Sequence, residues 1–248
     1  MTKTILITGA TAGFGEAAAR RFVSGGWNVV GTGRRENRLQ TLAEELGDAF
    51  LPLVVDMRDF AAVESLARLE GGWHDIDLLL NNAGLAPPTD PLPDSDWERI
   101  ETVIDTNVTG LVALTRALLP KLIARKGQII NLSSVAATYP YKGGAVYAGT
   151  KAFVRQFSLD LRADLAGTGV RVTSVEPGMA ETEFTIVRTG GDKAASDALY
   201  SGMNPMTSDD LADLFWWLAC LPPHLNINAI ELMPVSQSFA GFVVDREG

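Results

Sequence analysis

The chain has 248 residues, and 46% of them are hydrophobic, which is enough for a sizeable buried core. Its formal net charge of -9 weighs against nucleic-acid binding, because an acidic surface repels phosphate backbones. Its single cysteine, Cys220, excludes a disulfide within the chain and lies in an apolar run, so we expect a small buried side chain in a reducing compartment.

The start of the chain reaches a glycine-rich turn before any long apolar stretch forms, so we expect no signal peptide and a cytoplasmic location. We also expect no apolar run long enough to span a membrane.

Short apolar runs alternate with segments of helical periodicity along the chain. The runs predict strands at residues 4–8, 28–33, 50–55, 78–81, 128–133, 171–176 and 229–233. The periodic segments predict helices at residues 13–24, 36–46, 59–69, 97–126, 147–166 and 211–221. Strands separated by helices of this length predict an α/β fold, with one doubly wound parallel sheet of Rossmann type and helices on both faces.

The pattern indicates a single domain, residues 1–248, without a linker or repeat. The pattern is loosest at residues 178–205, which we expect to cover a substrate. Thr207 and Asp210 have the spacing of a capping box before the helix that follows.

The first predicted strand leads into a turn with the spacing G-x-x-x-G-x-G, formed by Gly9, Gly13 and Gly15. A tight turn needs residues without a Cβ, and a diphosphate needs close approach to backbone N–H groups at a helix start. An ordinary strand-to-helix turn is the alternative, which three glycines so close together disfavour. By itself this turn predicts only a nucleotide site.

Three motifs, of which this turn is the first, follow in order along most of the chain. They are the glycine turn at residues 8–15, Asn-Asn-Ala-Gly at residues 81–84, and Tyr-x-x-x-Lys at residues 147–151, accompanied by Asn107, Ser134 and Pro177-Gly178. With these motifs the chain resembles the short-chain dehydrogenase/reductase family, and the resemblance implies a hydride-transferring enzyme that needs no metal.

The resemblance implies that Tyr147 exchanges a proton with the substrate oxygen, which Ser134 holds. Tyr147 and Lys151 are one helical turn apart. Lys151, helped by the charge of the oxidised nicotinamide, is expected to lower the tyrosine pKa, and the resemblance implies that it also holds the nicotinamide ribose. A shift from about 10 to about 7 needs about 4 kcal/mol. Ser133 competes with Ser134, and the family pattern favours Ser134. Asn107 is implied to hold Lys151 through a water.

The second predicted strand ends in Gly-Thr-Gly followed by Arg34 and Arg35, where NAD-binding sheets commonly carry an acidic residue. A guanidinium can bind the extra 2′-phosphate of NADP, so the sequence predicts NADP. The alternative is a solvated helix start, which two cations near the positive end of a helix dipole disfavour. The resemblance implies that Asp56 binds the adenine edge. The alternative is that Asp56 caps the next helix, and the two roles are compatible.

The resemblance implies cofactor contacts at further positions. They are Gly9, Thr11, Gly13, Phe14, Gly15, Asn82, Ala83, Gly84, Tyr147, Lys151, Pro177, Gly178 and Thr182. Thr182 is implied to meet the carboxamide or a phosphate.

A closer resemblance concerns a subgroup that contains NADP-dependent 3-hydroxy acid dehydrogenases and sulfoacetaldehyde reductases. It is carried by residues 11–15, 33–35, 152–158, 180–188 and 226–235. Both substrate classes are small anions, so the site needs a cation. Arg188 is the main candidate and Tyr141 adds a hydroxyl donor, whereas Lys142 is expected to be a solvated loop residue.

We therefore predict an NADP(H)-dependent oxidoreductase that interconverts a small 3-hydroxy acid, such as serine or 3-hydroxypropanoate, with its aldehyde or ketone. The alternatives are a sulfoacetaldehyde reductase that forms isethionate and a broad-specificity carbonyl reductase. A nucleotide-sensing scaffold ranks low, because Ser134, Tyr147 and Lys151 are all present.

The family resemblance implies a dimer or homotetramer through the predicted helices at residues 97–126 and 147–166. The C-terminal segment, residues 234–248, covers either its own site or that of a neighbour.

Overall fold

A computed structural model describes residues 2–238 of the chain. Its sheet has seven parallel strands in the order β3-β2-β1-β4-β5-β6-β7. They are β1 (Thr4–Thr8), β2 (Asn28–Gly33), β3 (Phe50–Val54), β4 (Leu78–Asn81), β5 (Gln128–Leu132), β6 (Arg171–Pro177) and β7 (Ala229–Leu232). All seven predicted strands are confirmed, with ends that differ by one residue at most.

Nine α-helices lie in the described part of the chain. They are α1 (Gly13–Ser24), α2 (Glu36–Leu46), α3 (Phe60–Ser65), α4 (Trp97–Ile104), α5 (Gly110–Arg125), α6 (Ala145–Asp164), α7 (Glu183–Arg188), α8 (Lys193–Tyr200) and α9 (Ser208–Cys220). The predicted capping box of α9 is confirmed, because Thr207 and Asp210 bind each other's backbone N–H.

Two clusters of buried apolar side chains cover the two faces of the sheet. One contains Phe22 of α1 and Phe215 of α9, and the other contains Leu114, Leu118 and Leu122 of α5. The alternation of Ile5 and Ile7 with Leu6 explains this division, since successive side chains of β1 point to opposite faces. The predicted doubly wound fold is confirmed.

The strand order reverses between β1 and β4, so the connections after these strands leave the sheet toward opposite faces. Open α/β sheets bind ligands at this point, at the carboxyl ends of the strands. This position brings together residues that are more than 70 positions apart in the sequence: the Asn82 amide donates to the carbonyl of Thr8 over 2.8 Å.

The segment between β6 and α9 is more regular than its sequence indicated. Two short helices, α7 and α8, lie within residues 178–205, where the sequence showed only a loose pattern. Asp192 caps α8 by accepting a hydrogen bond from the N–H of Ala195. The helices were missed because each is at most eight residues long, too short for a convincing periodicity.

The predicted helix at residues 97–126 is α4 and α5 joined by a π-helical turn at Asp105–Thr109. This helix, Trp97–Arg125, is long and apolar enough to cross a membrane, judged by length and composition alone. In its most apolar stretch of 18 residues, 39% is buried inside the protein. The expectation that no run reaches that length is therefore wrong. Its Leu114, Leu118 and Leu122 are fully buried in the core, which accounts for its apolar character.

Cys220, which was expected to be buried, is exposed at the end of α9. The prediction that Cys220 is buried is wrong because α9 buries only one of its faces. Leu218 and Ala219 are buried in the core, and Cys220 follows them on the solvent side.

Candidate active site

A cavity of about 330 Å³ lies along the carboxyl ends of the central strands. Its wall includes most of the residues assigned to a nucleotide from the sequence: Gly9, Thr11, Gly13, Phe14, Arg34, Arg35, Asp56, Asn82, Ala83, Gly84, Tyr147, Lys151, Pro177, Gly178 and Thr182. Ser134 is also on the wall, whereas Gly15, Asn107, Tyr141 and Arg188 are not.

The glycine turn fits a diphosphate. Gly9 and Gly13 have φ values of 71° and 55°, which favour glycine. A Cβ on Gly15 would lie 2.3 Å from the Gly9 carbonyl oxygen, so this buried glycine shapes the turn without lining the cavity. Helix α1 begins after Ala12, which offers no side-chain acceptor, so its first N–H groups remain available to an anion.

The Asn-Asn-Ala-Gly segment fixes the glycine turn in place. The Thr8 hydroxyl accepts hydrogen bonds from the backbone N–H groups of Asn82 and Ala83, at 3.0 and 2.9 Å. The Asn82 amide donates in return to the carbonyl of Thr8. The preceding Asn81 is buried and donates to Thr115 and Asn131, which joins β4 to α5 and β5.

The two predicted phosphate-binding arginines have different surroundings. The Arg35 guanidinium donates to the Thr11 hydroxyl and carbonyl and to the carboxylate of Glu183, at 2.9 to 3.2 Å. Arg34 is exposed, lies on the cavity wall and has no side-chain hydrogen bond to any of residues 2–238. Arg34 is therefore the freer of the two cations for a 2′-phosphate.

Asp56 also lies on the cavity wall, and it does not cap the following helix. Its carboxylate pairs with Arg58 at 2.7 Å, and this guanidinium holds the pKa of Asp56 below its usual range. Asp59 caps α3 instead, by accepting from the N–H of Ala62 over 3.0 Å. The capping alternative for Asp56 is wrong because Asp59 immediately precedes α3, whereas the Asp56 carboxylate accepts from the N–H of Arg58 in the turn before it.

Tyr147, Lys151 and Ser134 meet at one end of the cavity, and all three are buried. The Lys151 ammonium lies 5.7 Å from the centre of the Tyr147 ring and donates to the Leu132 carbonyl over 2.7 Å. The Ser134 hydroxyl accepts from the N–H of Ala136 and donates to the carbonyl of Pro177 over 3.3 Å.

Burial controls the protonation of this group. It raises the pKa of Tyr147 to about 12, against opposing effects of the Ser134 hydroxyl and the Arg188 charge. Burial also lowers the pKa of Lys151 to about 8. The expected depression of the tyrosine pKa by Lys151 is therefore not found among the described residues, since removal from water outweighs the neighbouring charges.

The buried ammonium of Lys151 makes stability depend on pH. Its pKa of about 8 lies below the ordinary 10.5 of the unfolded chain, so burial of its charge destabilises the fold fully below pH 8, and this cost disappears as pH rises to 10.5. Relative to Lys151→Met, the wild type should gain about 2 kcal/mol between pH 7 and pH 9.5. Urea unfolding of both proteins at the two pH values measures it, and a constant difference would contradict the buried charge.

Asn107 lies in the π-helical turn and is 1% exposed. Its amide donates to the Leu85 carbonyl and the Thr150 hydroxyl, and its Oδ1 accepts from the N–H of Leu85. A Cβ on Gly84 would lie 3.3 Å from the Lys151 ammonium and 3.5 Å from Oδ1 of Asn107, so both groups border Gly84. The water that the resemblance implies between them stays a prediction.

Arg188 and Tyr141 lie beside Tyr147, which lines the cavity, but they do not line it themselves. Arg188 donates to the Tyr141 hydroxyl over 2.9 Å, and its guanidinium carbon is 5.8 Å from the centre of the Tyr147 ring. Its Nε is buried and has no hydrogen-bond partner among residues 2–238. Lys142 is exposed, as expected of a loop residue.

Thr182 and Gly178 also line the cavity, and Thr182 lies next to the glycine turn. A Cβ on Gly13 would lie 3.4 Å from Cβ of Thr182. Gln237 accepts a hydrogen bond from the N–H of Met179 over 2.7 Å, so the described part of the C-terminal segment contacts its own chain beside Gly178. Residues 239–248 of that segment lie outside the described residues.

Sequence reasoning missed several contacts that shape the site. The Ser133 hydroxyl donates to the Lys151 carbonyl over 2.7 Å, and the Phe184 ring lies 5.7 Å from that of Tyr147. Arg38 and Glu183 form an ion pair next to Arg35. Arg38 was detectable, because a residue three positions after Arg35 lies on the same helical face, whereas Glu183 required the path of the chain.

A family model described as short chain dehydrogenase matches residues 3–191, which is more than half of the chain. The chain belongs to the short-chain dehydrogenase family. The family and enzyme class predicted from the three motifs are thereby confirmed.

Relatives of the chain share its full length. It is 62% identical to a serine 3-dehydrogenase of Agrobacterium fabrum over 248 residues, which cover 100% of both chains. It is 52% identical to sulfoacetaldehyde reductase 2 of Chromohalobacter salexigens over 252 aligned positions, again with 100% of both chains covered. A solved structure described as the closed form of serine dehydrogenase complexed with NADP+ superposes with a TM-score of 0.96, at 51% identity, over 98% of this chain and 100% of the other.

Proposed function

We propose that this short-chain dehydrogenase uses NADP(H) to interconvert a small 3-hydroxy acid, such as serine or 3-hydroxypropanoate, with the corresponding aldehyde or ketone. The observation that carries this proposal is the buried Nε of Arg188, which has no hydrogen-bond partner among residues 2–238 and lies beside Tyr147. A buried guanidinium nitrogen without an acceptor is costly, and a substrate carboxylate would supply one.

When bound, NADP(H) would supply the acceptor or the donor of the hydride. Ser134 holds the substrate oxygen, and Tyr147 takes the hydroxyl proton in oxidation or returns it in reduction. The phenol must lose its proton against a pKa of about 12, so it acts as a base only when neighbouring positive charge stabilises the phenolate. The ammonium of Lys151 lies 5.7 Å from the centre of the Tyr147 ring but does not by itself offset burial, so oxidation also needs the positive charge that an oxidised nicotinamide would add. Asn107 fixes the neighbouring backbone at Leu85.

The cofactor preference has a separate support in Arg34. Its side chain lies on the cavity wall and makes no hydrogen bond to the described residues. Apart from Arg34 and Arg35, thirteen of the residues predicted to bind the cofactor line the same cavity. The NADP+ in the superposable serine dehydrogenase supports the same cofactor for this chain.

Replacing Arg34 should change the cofactor preference. Arg34→Ser removes a charge-assisted hydrogen bond to the 2′-phosphate, so the Kd of NADPH should rise about 30-fold while that of NADH stays constant. Quenching of protein fluorescence measures both constants. Arg68→Ser removes another exposed arginine and serves as the control. Equal weakening of NADH and NADPH would contradict phosphate recognition by Arg34.

Steady-state kinetics distinguish the candidate functions. The enzyme is offered serine and 3-hydroxypropanoate with NADP+, then malonic semialdehyde, sulfoacetaldehyde and an uncharged ketone with NADPH. The proposal predicts the highest kcat/KM for the carboxylates. Preference for sulfoacetaldehyde would assign the sulfonate reaction, which the second relative favours. Comparable turnover of the ketone would indicate a broad carbonyl reductase.

The assembly and location remain part of the proposal. Exposed apolar side chains on the two long helices support a homodimer or homotetramer: Trp97 on α4, Ile123 on α5 and Phe153 on α6. We further propose that residues 178–205 cover the substrate and that the enzyme works in the cytoplasm.

A further inference from the structure

The first helix of the proposed covering segment, residues 178–205, is α7. This short helix contacts both ends of the cavity. At one end Phe184 packs against Tyr147 and Arg188 donates to Tyr141. At the other end Glu183 reaches α2 and the residue that precedes it, Arg35. One helix thus joins the cofactor side of the cleft to the substrate side.

Glu183 makes the densest set of ionic contacts in this part of the molecule. Its two carboxylate oxygens accept from one nitrogen of Arg38 at 2.7 and 2.8 Å, and one of them also accepts from Arg35 at 2.9 Å. Arg38 and Arg35 both donate to the carbonyl of Thr11 as well. These two arginines hold the pKa of Glu183 below its usual range, so the carboxylate is charged at neutral pH.

The charges suggest a division of roles among three neighbouring arginines. Arg38 is exposed, is not on the cavity wall and binds Glu183 with its closest contact. Arg34 is on the wall without an acceptor among the described residues, and Arg35 lies between the two. Arg38 therefore does not act as a charge on the cavity wall; its ion pair with Glu183 connects α7 to α2.

We propose that Glu183 is a positioning residue that fixes α7 through Arg38 and Arg35 and thereby places Phe184 and Arg188 beside Tyr147. The inference deepens the proposed function and rests on its substrate site. The Glu183 carboxylate also places a negative charge beside the region proposed for the 2′-phosphate. We therefore expect it to fix the covering segment and, by repulsion, to weaken the binding of NADP(H).

This division predicts opposite effects on cofactor and substrate. Glu183→Gln should raise the KM of the hydroxy acid about fivefold, as expected for partly exposed ion pairs, with kcat nearly unchanged. Its Kd for NADPH should stay constant or fall, since a negative charge is removed. Arg38→Gln should raise the substrate KM by a similar factor and should also raise the Kd of NADPH. Glu183→Asp should restore part of the lost substrate affinity.

Hydrogen exchange tests the same contact without a substrate. With NADPH bound, amide exchange at residues 183–200 should rise in Glu183→Gln and in Arg38→Gln, and the double variant should show no further increase. Glu181→Gln is the matched control, because Glu181 is an exposed carboxylate two positions earlier with no ion pair among the described residues.

Unchanged exchange in Glu183→Gln, or additive increases in the double variant, would overturn the positioning role whatever the substrate proves to be. Failure of the wild type to turn over any hydroxy acid would overturn the proposed function instead. The exchange experiment would still test the positioning role, because it uses no substrate.

Discussion

Tyr147→Phe should lower kcat about 10³-fold for every substrate while the Kd of NADPH changes little. The substitution removes only the hydroxyl that exchanges the substrate proton, and the ring keeps its contacts with Phe184 and with the Lys151 ammonium. Single-turnover oxidation of bound NADPH, followed by its absorbance, separates this chemical step from binding.

Tyr139→Phe is the matched control, since its hydroxyl bonds to the exposed Glu231 away from the cavity. We expect its kcat within twofold of the wild type, which is about 0.4 kcal/mol. Retention of a tenth or more of the activity in Tyr147→Phe would transfer the proton step to another group, of which the Ser134 hydroxyl is the nearest candidate.

Arg188→Ala should lower kcat/KM for the carboxylate substrate about 100-fold, mainly through KM, and should leave an uncharged ketone nearly unaffected. A charge-assisted hydrogen bond in a buried site contributes about 1.5 to 3 kcal/mol, and the unpaired Nε marks where it would form. Paired kinetics on the two substrates measure the difference directly.

The control for Arg188 is Lys142→Ala, which removes an exposed cation from the loop before α6. It should change neither substrate's kcat/KM by more than about twofold if the anion binds at Arg188. Equal losses on the acid and the ketone in Arg188→Ala would mean that the arginine supports the fold around Tyr147, and its role in substrate binding would have to be abandoned.

The sheet could be predicted from the sequence because each of its strands is a short apolar run between glycines and polar residues. The motif residues could be predicted equally well. Gly9, Asn82 and Tyr147 are far apart in the chain, but each follows or precedes a recognisable element, and all three line one cavity. Parallel topology brings the carboxyl ends of strands together, so the location of the site followed from the fold class.

The sequence did not show how charged side chains share partners. Nothing in the order of residues pairs Glu183 with Arg38, because their contact depends on the path of a segment between β6 and α9. The prediction for the pKa of Tyr147 weighed the ammonium of Lys151 and the charge of an oxidised nicotinamide, but not the loss of water around the buried phenol, which raises this pKa.

The central position of β1 also has a consequence for synthesis on the ribosome. Its register with β2 is available once residues 28–32 have emerged, but its other edge waits for Leu78, Leu79 and Leu80 of β4. Until then one edge of this strand, whose three central residues are apolar, stays unpaired in the nascent chain, and such an edge is a template for aggregation. A chaperone that binds the first 77 residues during translation would therefore protect this protein more than one that acts after release.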